Sequence, residues 1–154
     1  MFRETSQYFV VGSPLLADGV YKLINRNSGK ALSTGAGNGA NVDQRNSTGS
    51  NAQKWTLQNV GGNQYYLINV SNPRYLDVYG ESTADGANVN VWDYTGKTNQ
   101  IWIIEPVSGG YFTVKAAHSN KLLDVYQAST SNGANVVQWS SNGGFNQHWS
   151  FQAQ

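Results

Sequence analysis

One three-residue pattern, Gln-x-Trp, occurs as Gln53-Lys54-Trp55, Gln100-Ile101-Trp102 and Gln147-His148-Trp149, at two equal intervals of 47 residues. A repeat of this period restricts the chain to folds that use one supersecondary unit several times. A unit of about 47 residues is too small to bury a core alone and must share one with its copies. The register extends beyond the tripeptide. Gly39-Ala40-Asn41-Val42, Gly86-Ala87-Asn88-Val89 and Gly133-Ala134-Asn135-Val136 are again 47 apart, and upstream Leu32, Leu76 and Leu123 correspond. The turns NSGK (27–30), SNPR (71–74) and HSNK (118–121) match as well, and the first copy is three residues shorter between Leu32 and Gly39. The 154 residues therefore read as an N-terminal extension, 1–15, and one domain, 16–154, in repeats of about 16–60, 61–107 and 108–154.

Within each copy, short β-type runs alternate with turn-rich segments. GVYKLIN, QYYLINV and GYFTVKA open the copies, KALST, YLDVY and LLDVY follow, and WTLQ, WIIE and WSFQ close them. Four strands per unit make about twelve in all. Charged residues are only 12% of the chain, and Gly, Asn, Ser and Thr are abundant, which suits strands and turns better than helices. Alternation places Tyr21, Leu23, Tyr65, Leu67, Phe112 and Val114 on one inward face, and Trp55, Leu57, Trp102, Ile104, Trp149 and Phe151 on another. The predicted fold is all-β, a twelve-strand closed barrel capped by hairpins. A tryptophan from each copy meets the others near a pseudo-threefold axis and buries about 200 Å².

Several classes of function lose ground on composition. Ten Lys plus Arg against nine Asp plus Glu gives a formal charge of +1, with no electrostatic footprint for nucleic acid or an anionic membrane. There is no cysteine, hence no disulfide framework or thiolate metal site, and His118 and His148 are isolated, so neither a metal nor a cofactor is expected. No apolar run approaches the roughly 18 residues needed to span a bilayer. The opening MFRETSQYFVVGSP has one early basic residue and a short FVV patch, too little for a secretory leader.

The threefold Gln-x-Trp, the Leu-Asp-Val-Tyr loops at 76–79 and 123–126, and the segment VWDYTGKTNQIW resemble the ricin B-type lectin family over roughly residues 16–154. That family includes carbohydrate-binding modules of secreted glycoside hydrolases. The resemblance implies a β-trefoil with up to three sugar sites, one per repeat. It also implies an extracellular setting, as a small secreted lectin or an appendage linked to a glycoside hydrolase domain, with any presequence trimmed. Many relatives carry a disulfide in each repeat; here Tyr94 follows Trp92-Asp93, which leaves stability to packing.

A neutral sugar is held by hydrogen bonds to vicinal hydroxyls and by contact of its C–H face with an aromatic ring. A carboxylate supplies two acceptors, an amide supplies donor and acceptor together, and charge-assisted bonds are the stronger ones. The second repeat has Asp77, Trp92 and Asn99 with Gln100, and the third has Asp124, Trp139 and Asn146 with Gln147. The first has Ser33, Arg45 and Ala52 at the corresponding positions, so its site is expected to be lost. Gln53 and Trp55 nevertheless remain there, which makes Gln-x-Trp mainly structural. The resemblance gives the glutamine the role of orienting the aspartate while the neighbouring asparagine touches the sugar, and Gln100 and Gln147 are counted with the ligand set on that ground. Asn90, Tyr79, Tyr126 and Asn142 lie in the same loops and are candidates to line the pockets, with plain surface positions as the alternative.

The rival reading of Asp77 and Asp124 is turn closure, and that of Trp92 and Trp139 is core packing. The function expected is non-catalytic binding of galactose-type or pentose-type sugars. Shallow sites of this kind bind weakly, so a multivalent polysaccharide such as xylan or a glycoprotein glycan is the expected partner. The alternatives are a trefoil scaffold for protein binding or inhibition, and a glycosidase. Against the latter, Asp77 and Asp124 occupy equivalent positions in different copies, which holds them apart; Glu81, Asp85 and Glu105, without counterparts in the other repeats, are the carboxylates left to form an unforeseen pair.

Overall fold

Turn residues punctuate the chain at every point where the alternating runs break, and each run becomes a strand: β1 (Gly19–Asn25), β2 (Ala31–Thr34), β3 (Val42–Arg45), β4 (Trp55–Gly61), β5 (Gln64–Asn69), β6 (Tyr75–Val78), β7 (Val89–Trp92), β8 (Trp102–Val107), β9 (Tyr111–Ala116), β10 (Leu122–Val125), β11 (Val136–Trp139) and β12 (Trp149–Ala153). The computed structural model describes residues 15–154, so the expected extension at 1–15 lies outside the described residues except for Leu15. Helical content there is limited to short 3-10 turns, and no helix among the described residues is long and apolar enough to cross a membrane.

Six of the twelve strands close the barrel. β1 pairs with β4, β4 with β5, β5 with β8, β8 with β9, β9 with β12, and β12 returns to β1, every pair antiparallel. The other six form three hairpins, β2–β3, β6–β7 and β10–β11, hung on β1, β5 and β9. The barrel is thus six-stranded, and the hairpins are the cap of a β-trefoil. Closure leaves the barrel strands no free edge.

The core fills from all three repeats. Leu23, Leu57, Tyr65, Leu67, Ile104 and Val114 are buried as alternation predicts, whereas Tyr21, Phe112 and Phe151 are only partly buried. Those three sit where β1, β12 and β9 adjoin and pack edge to face, Phe151 against Tyr21 at 6.0 Å and against Phe112 at 5.5 Å between ring centres. Trp55, Trp102 and Trp149 are fully buried, yet each indole has an N–H to satisfy. Nε1 donates to the carbonyl of Leu32 (3.0 Å), Leu76 (2.9 Å) and Leu123 (3.1 Å) respectively, which ties a barrel strand to the hairpin of the same repeat.

The Gly-Ala-Asn-Val motif closes the cap. Asn41 Nδ2 donates to Asn135 Oδ1 (2.8 Å), Asn135 Nδ2 to Asn88 Oδ1 (2.9 Å) and Asn88 Nδ2 to Asn41 Oδ1 (2.7 Å), a ring of amides with one member from each repeat. Gly39 has φ of 82°, in the left-handed region that glycine enters without penalty, and a Cβ there would come within 3.0 Å of Trp92. Gly86 (φ 86°) lies equally against Trp139, with 3.4 Å from its would-be Cβ. Each glycine therefore seats the tryptophan of the following repeat.

Candidate functional site

Strand alternation sorts the β6–β7 hairpin into two faces. Leu76, Val78, Val89 and Val91 enter the core, and Tyr75, Asp77, Asn90 and Trp92 fall on the other side, with Asp77 directly opposite Asn90 in the register. The turn after β6, the end of β7 and the Thr98–Gln100 3-10 turn enclose a pocket of about 360 Å³, lined by Asp77, Tyr79, Gly80, Glu81, Trp92, Thr95, Lys97 and Asn99. The third repeat has its counterpart of about 390 Å³, lined by Asp124, Tyr126, Gln127, Ala128, Trp139, Asn142 and Asn146.

At each pocket floor the carboxylate is almost wholly buried, Asp77 at 4% and Asp124 at 3% exposure. Gln100 Nε2 donates to Asp77 Oδ2 (2.9 Å) and to the Asp93 carbonyl (2.9 Å), while its Oε1 accepts from Thr95 N (3.1 Å). Gln147 repeats this with Asp124 (2.9 Å), the Ser140 carbonyl (3.0 Å) and Asn142 N (3.1 Å). In the first repeat Gln53 keeps two of the three bonds, to the Asn46 carbonyl and from Thr48 N, both 2.8 Å. Only the bond to an aspartate is missing, because Ser33 stands there. The glutamine thus secures its own loop in every repeat and positions a carboxylate where one exists. Gln100 and Gln147 are fully buried and lie outside the pocket linings, so among the sequence-derived candidates these two hold the aspartates from behind.

Asn99 and Asn146 do line the pockets, anchored by Nδ2 to the carbonyls of Val78 (3.0 Å) and Val125 (3.1 Å). Asn99 Oδ1 has no partner among the described residues. Trp92 and Trp139 are half-buried and line the same pockets as the carboxylates, with Tyr79 and Tyr126 beside them at 6.3 Å between ring centres in each pocket. Asn142 lines the third-repeat pocket, and Thr95, its counterpart 47 residues earlier, lines the second. Asn90 is buried beside the carboxylate; with its amide nitrogen turned to the acceptors it donates to Asp77 Oδ1 at 3.3 Å.

Burial raises the pKa of Asp77 and of Asp124 to about 6, against the lowering effect of the hydrogen bonds from Gln100 and Asn99 in one case and from Gln147 and Asn146 in the other. Each carboxylate is mostly ionised at neutral pH and exchanges its proton in the mildly acidic range. Among the described residues no group of three or more His, Cys, Asp or Glu is placed to hold a metal ion.

The first repeat presents a different surface. Arg45, at the tryptophan position, folds back on Asp43, with Nε at 3.0 Å and Nη2 at 2.7 Å from Oδ2. Ser33 is buried, and Ala52 offers no amide.

Two groups of residues escaped sequence reasoning. Gly80, Thr95, Lys97, Gln127 and Ala128 complete the pocket walls, together with Glu81, which the sequence offered only as a carboxylate for the glycosidase alternative. In addition, buried amides from one repeat brace the equivalent loop of another. Gln138 Nε2 donates to the Ser82 and Ala84 carbonyls (both 2.9 Å), Gln44 Nε2 to those of Ser129 and Ser131 (both 3.0 Å), and Asn72 Nδ2 to those of Gly35 (2.9 Å) and Gly37 (2.8 Å). The available signal was a glutamine at positions 44 and 138 where the middle repeat has Val91.

Comparison with known proteins agrees with this geometry. Among solved structures, the designed threefold-symmetric protein ThreeFoil shares 44% identity at a TM-score of 0.87, over 89% of this chain and 100% of that one. The exo-β-1,3-galactanase 1,3Gal43A from Clostridium thermocellum shares 38% identity at a TM-score of 0.85; 88% of this chain is matched, which spans only 30% of the galactanase. The Rhizoctonia solani agglutinin shares 26% identity at a TM-score of 0.81, over 90% and 97% of the two chains. A search of curated proteins returns no match. The model of the ricin-type β-trefoil lectin domain-like family matches residues 5–92 and 98–154, and the chain belongs to that family.

Proposed function

We propose that the chain is a non-catalytic carbohydrate-binding module with sites for galactose-type or pentose-type sugars in its second and third repeats. The observation behind this reading is that acid, half-exposed indole and amide stand together around one pocket in each of the second and third repeats, and are absent together from the first repeat of the same scaffold. Asp77 and Asp124 accept from a pair of sugar hydroxyls, Trp92 and Trp139 cover the C–H face, and Asn99 and Asn146 contribute to the polar contacts. Tyr79, Tyr126 and Asn142 shape the walls. Asn90, Gln100 and Gln147 hold the aspartates. The 38% identity to part of a galactanase favours galactose-type units and a setting beside a glycoside hydrolase domain, hence outside the cell.

Calorimetric titration with galactose, lactose, arabinogalactan and xylan tests the reading. Millimolar sites, about −4 kcal/mol each, are expected for simple sugars, with avidity gains on the order of a hundredfold for polymers that reach both. Asp77→Ala or Asp124→Ala removes one site, and the double substitution removes all binding with the circular dichroism unchanged. No heat from any of the four ligands sinks the proposal.

One observation favours hydrolysis instead: Glu81 shares a pocket with Asp77, and two carboxylates around one glycosidic bond are what that chemistry needs. Against it, Glu81 is ion-paired to Lys97, and the otherwise similar third-repeat pocket has Ala128 in its place. Release of reducing ends from arabinogalactan would decide for an enzyme.

A further inference from the structure

We propose that the two pockets differ in how much of a glycan they read: the second-repeat pocket grips two linked sugars and the third-repeat pocket grips one. This rests on the carbohydrate-binding reading above and adds a specificity-determining pair to it, Glu81 and Lys97.

The threefold repeat makes the comparison internal. Both pockets have the same floor and the same pair of aromatic rings, so their differences stand out against a common scaffold. Glu81 belongs to the turn after β6, and Lys97 to the segment before the Thr98–Gln100 turn, on the two sides of one pocket; Lys97 Nζ lies 3.0 Å from Glu81 Oε2. The positions 47 residues later hold Ala128 and Gly144. The difference is built into the third repeat. A Cβ on Gly144 would lie 2.5 Å from Asn146 Oδ1 and 2.9 Å from Asn142 Oδ1, so no lysine enters there without displacing the amides of its own pocket.

Height in the pocket sets what the pair can touch. Asp77 is buried at the floor, whereas the side chains of Lys97 and Glu81 are 60% and 52% exposed, at the rim. A sugar seated on Asp77 and Trp92 fills the floor, and the unit linked to it leaves across the rim. There it meets a carboxylate that accepts from one hydroxyl and an ammonium that donates to another, both charge-assisted. The pair is electrically neutral, which suits an uncharged second sugar. An exposed pair of this kind adds little to folding stability, so its presence in only one repeat is not a requirement of the trefoil.

Two single-site proteins test the proposal by NMR titration with galactose and lactose. Asp124→Ala leaves the second-repeat site, and Asp77→Ala leaves the third. In Asp124→Ala the association constant for lactose is expected to exceed that for galactose by about three- to tenfold, the range for one or two solvent-exposed charge-assisted bonds. In Asp77→Ala the ratio stays near one. Adding Glu81→Ala and Lys97→Gly to Asp124→Ala, the residues that the third repeat uses, should bring its ratio down to that of Asp77→Ala, and Lys97→Met checks that the effect is not a looser loop. Equal ratios in the two single-site proteins, or a ratio that survives loss of the pair, overturn the inference while leaving the pockets as sugar sites. Absence of binding to galactose, lactose, arabinogalactan and xylan alike in the unaltered protein removes both readings at once.

Discussion

Acidification from pH 7 to pH 5 is expected to weaken galactose binding about tenfold at each site. Asp77 and Asp124 titrate at about 6 because burial opposes their charge more than Gln100, Asn99, Gln147 and Asn146 support it. A group of that pKa is about nine-tenths ionised at pH 7, half at pH 6 and about one-tenth at pH 5. In the proposed mode of binding the ionised form accepts from two hydroxyls, so the association constant is expected to follow the ionised fraction. An ordinary carboxylate would leave it nearly flat over the same range. Calorimetry at pH 7, 6 and 5, in buffers of different ionisation enthalpy, gives both the constant and the proton count; near pH 6 about half a proton per site should be released on binding. Acid unfolding is the obvious confounder, and the sign of the linkage removes it. These aspartates have folded-state pKa values above those of the unfolded chain. Their contribution to stability is therefore fully present below about pH 4 and is lost as pH rises through about 6, opposite to the trend in binding. A flat constant, or a loss centred near pH 4, would refute the assignment of Asp77 and Asp124 as buried acceptors.

Three further outcomes follow from the same structure. Gln53→Leu should lower stability by about 1–3 kcal/mol through the unpaired Asn46 carbonyl and Thr48 N–H and leave sugar binding intact. Gln100→Leu should lose a similar amount and also weaken the second-repeat site while pushing Asp77 further up, so thermal melts alongside a pH series of NMR titrations separate the two glutamines. Gln127→Gly should stabilise the protein by up to about 1 kcal/mol, since Gln127 holds a left-handed φ of 57° where the second repeat uses Gly80 at 65°; an unchanged or lower midpoint in thermal denaturation counts against that turn geometry.

What was legible in the sequence was whatever repeats at a fixed interval. Equal spacing of Gln-x-Trp and of Gly-Ala-Asn-Val reports symmetry directly, and alternation within each copy assigns the inward faces. Tyr79 and Tyr126 were harder to place. Their position against Trp92 and Trp139 depends on two consecutive left-handed residues in the turn that follows. Gly80 hints at that turn; Gln127 and Ala128, at φ of 57° and 53°, do not. Contacts between repeats were least legible. The Asn41–Asn88–Asn135 ring uses a motif that is plain to see, but one copy of it has no partner, and the ring exists only once three copies surround an axis. Gln44, Asn72 and Gln138 are harder still, because each donates to carbonyls of another repeat, and a polar residue buried in or beside a strand shows no such address in one dimension.

The first repeat keeps the trefoil without the groups proposed to bind sugar in the other two. The bonds that hold the scaffold (Trp55 to the Leu32 carbonyl, Gln53 to its own loop, Asn41 in the amide ring) involve none of the three positions where Ser33, Arg45 and Ala52 replace acid, ring and amide. The groups that hold the fold and those that line the pockets are largely separate sets, joined at the glutamine, which serves the loop in all three repeats and the carboxylate in two. A buried carboxylate is unfavourable without such donors, so an aspartate at position 77 or 124 is tolerable only where the glutamine faces it. In the first repeat Ser33 removes that burden, and Arg45 finds its charge partner in Asp43, at the position of Asn90 in the second repeat. The copy without the proposed ligand set is thus the one relieved of a buried charge, which supports ligand recognition, as proposed above, over folding as the role of Asp77 and Asp124 in the other two.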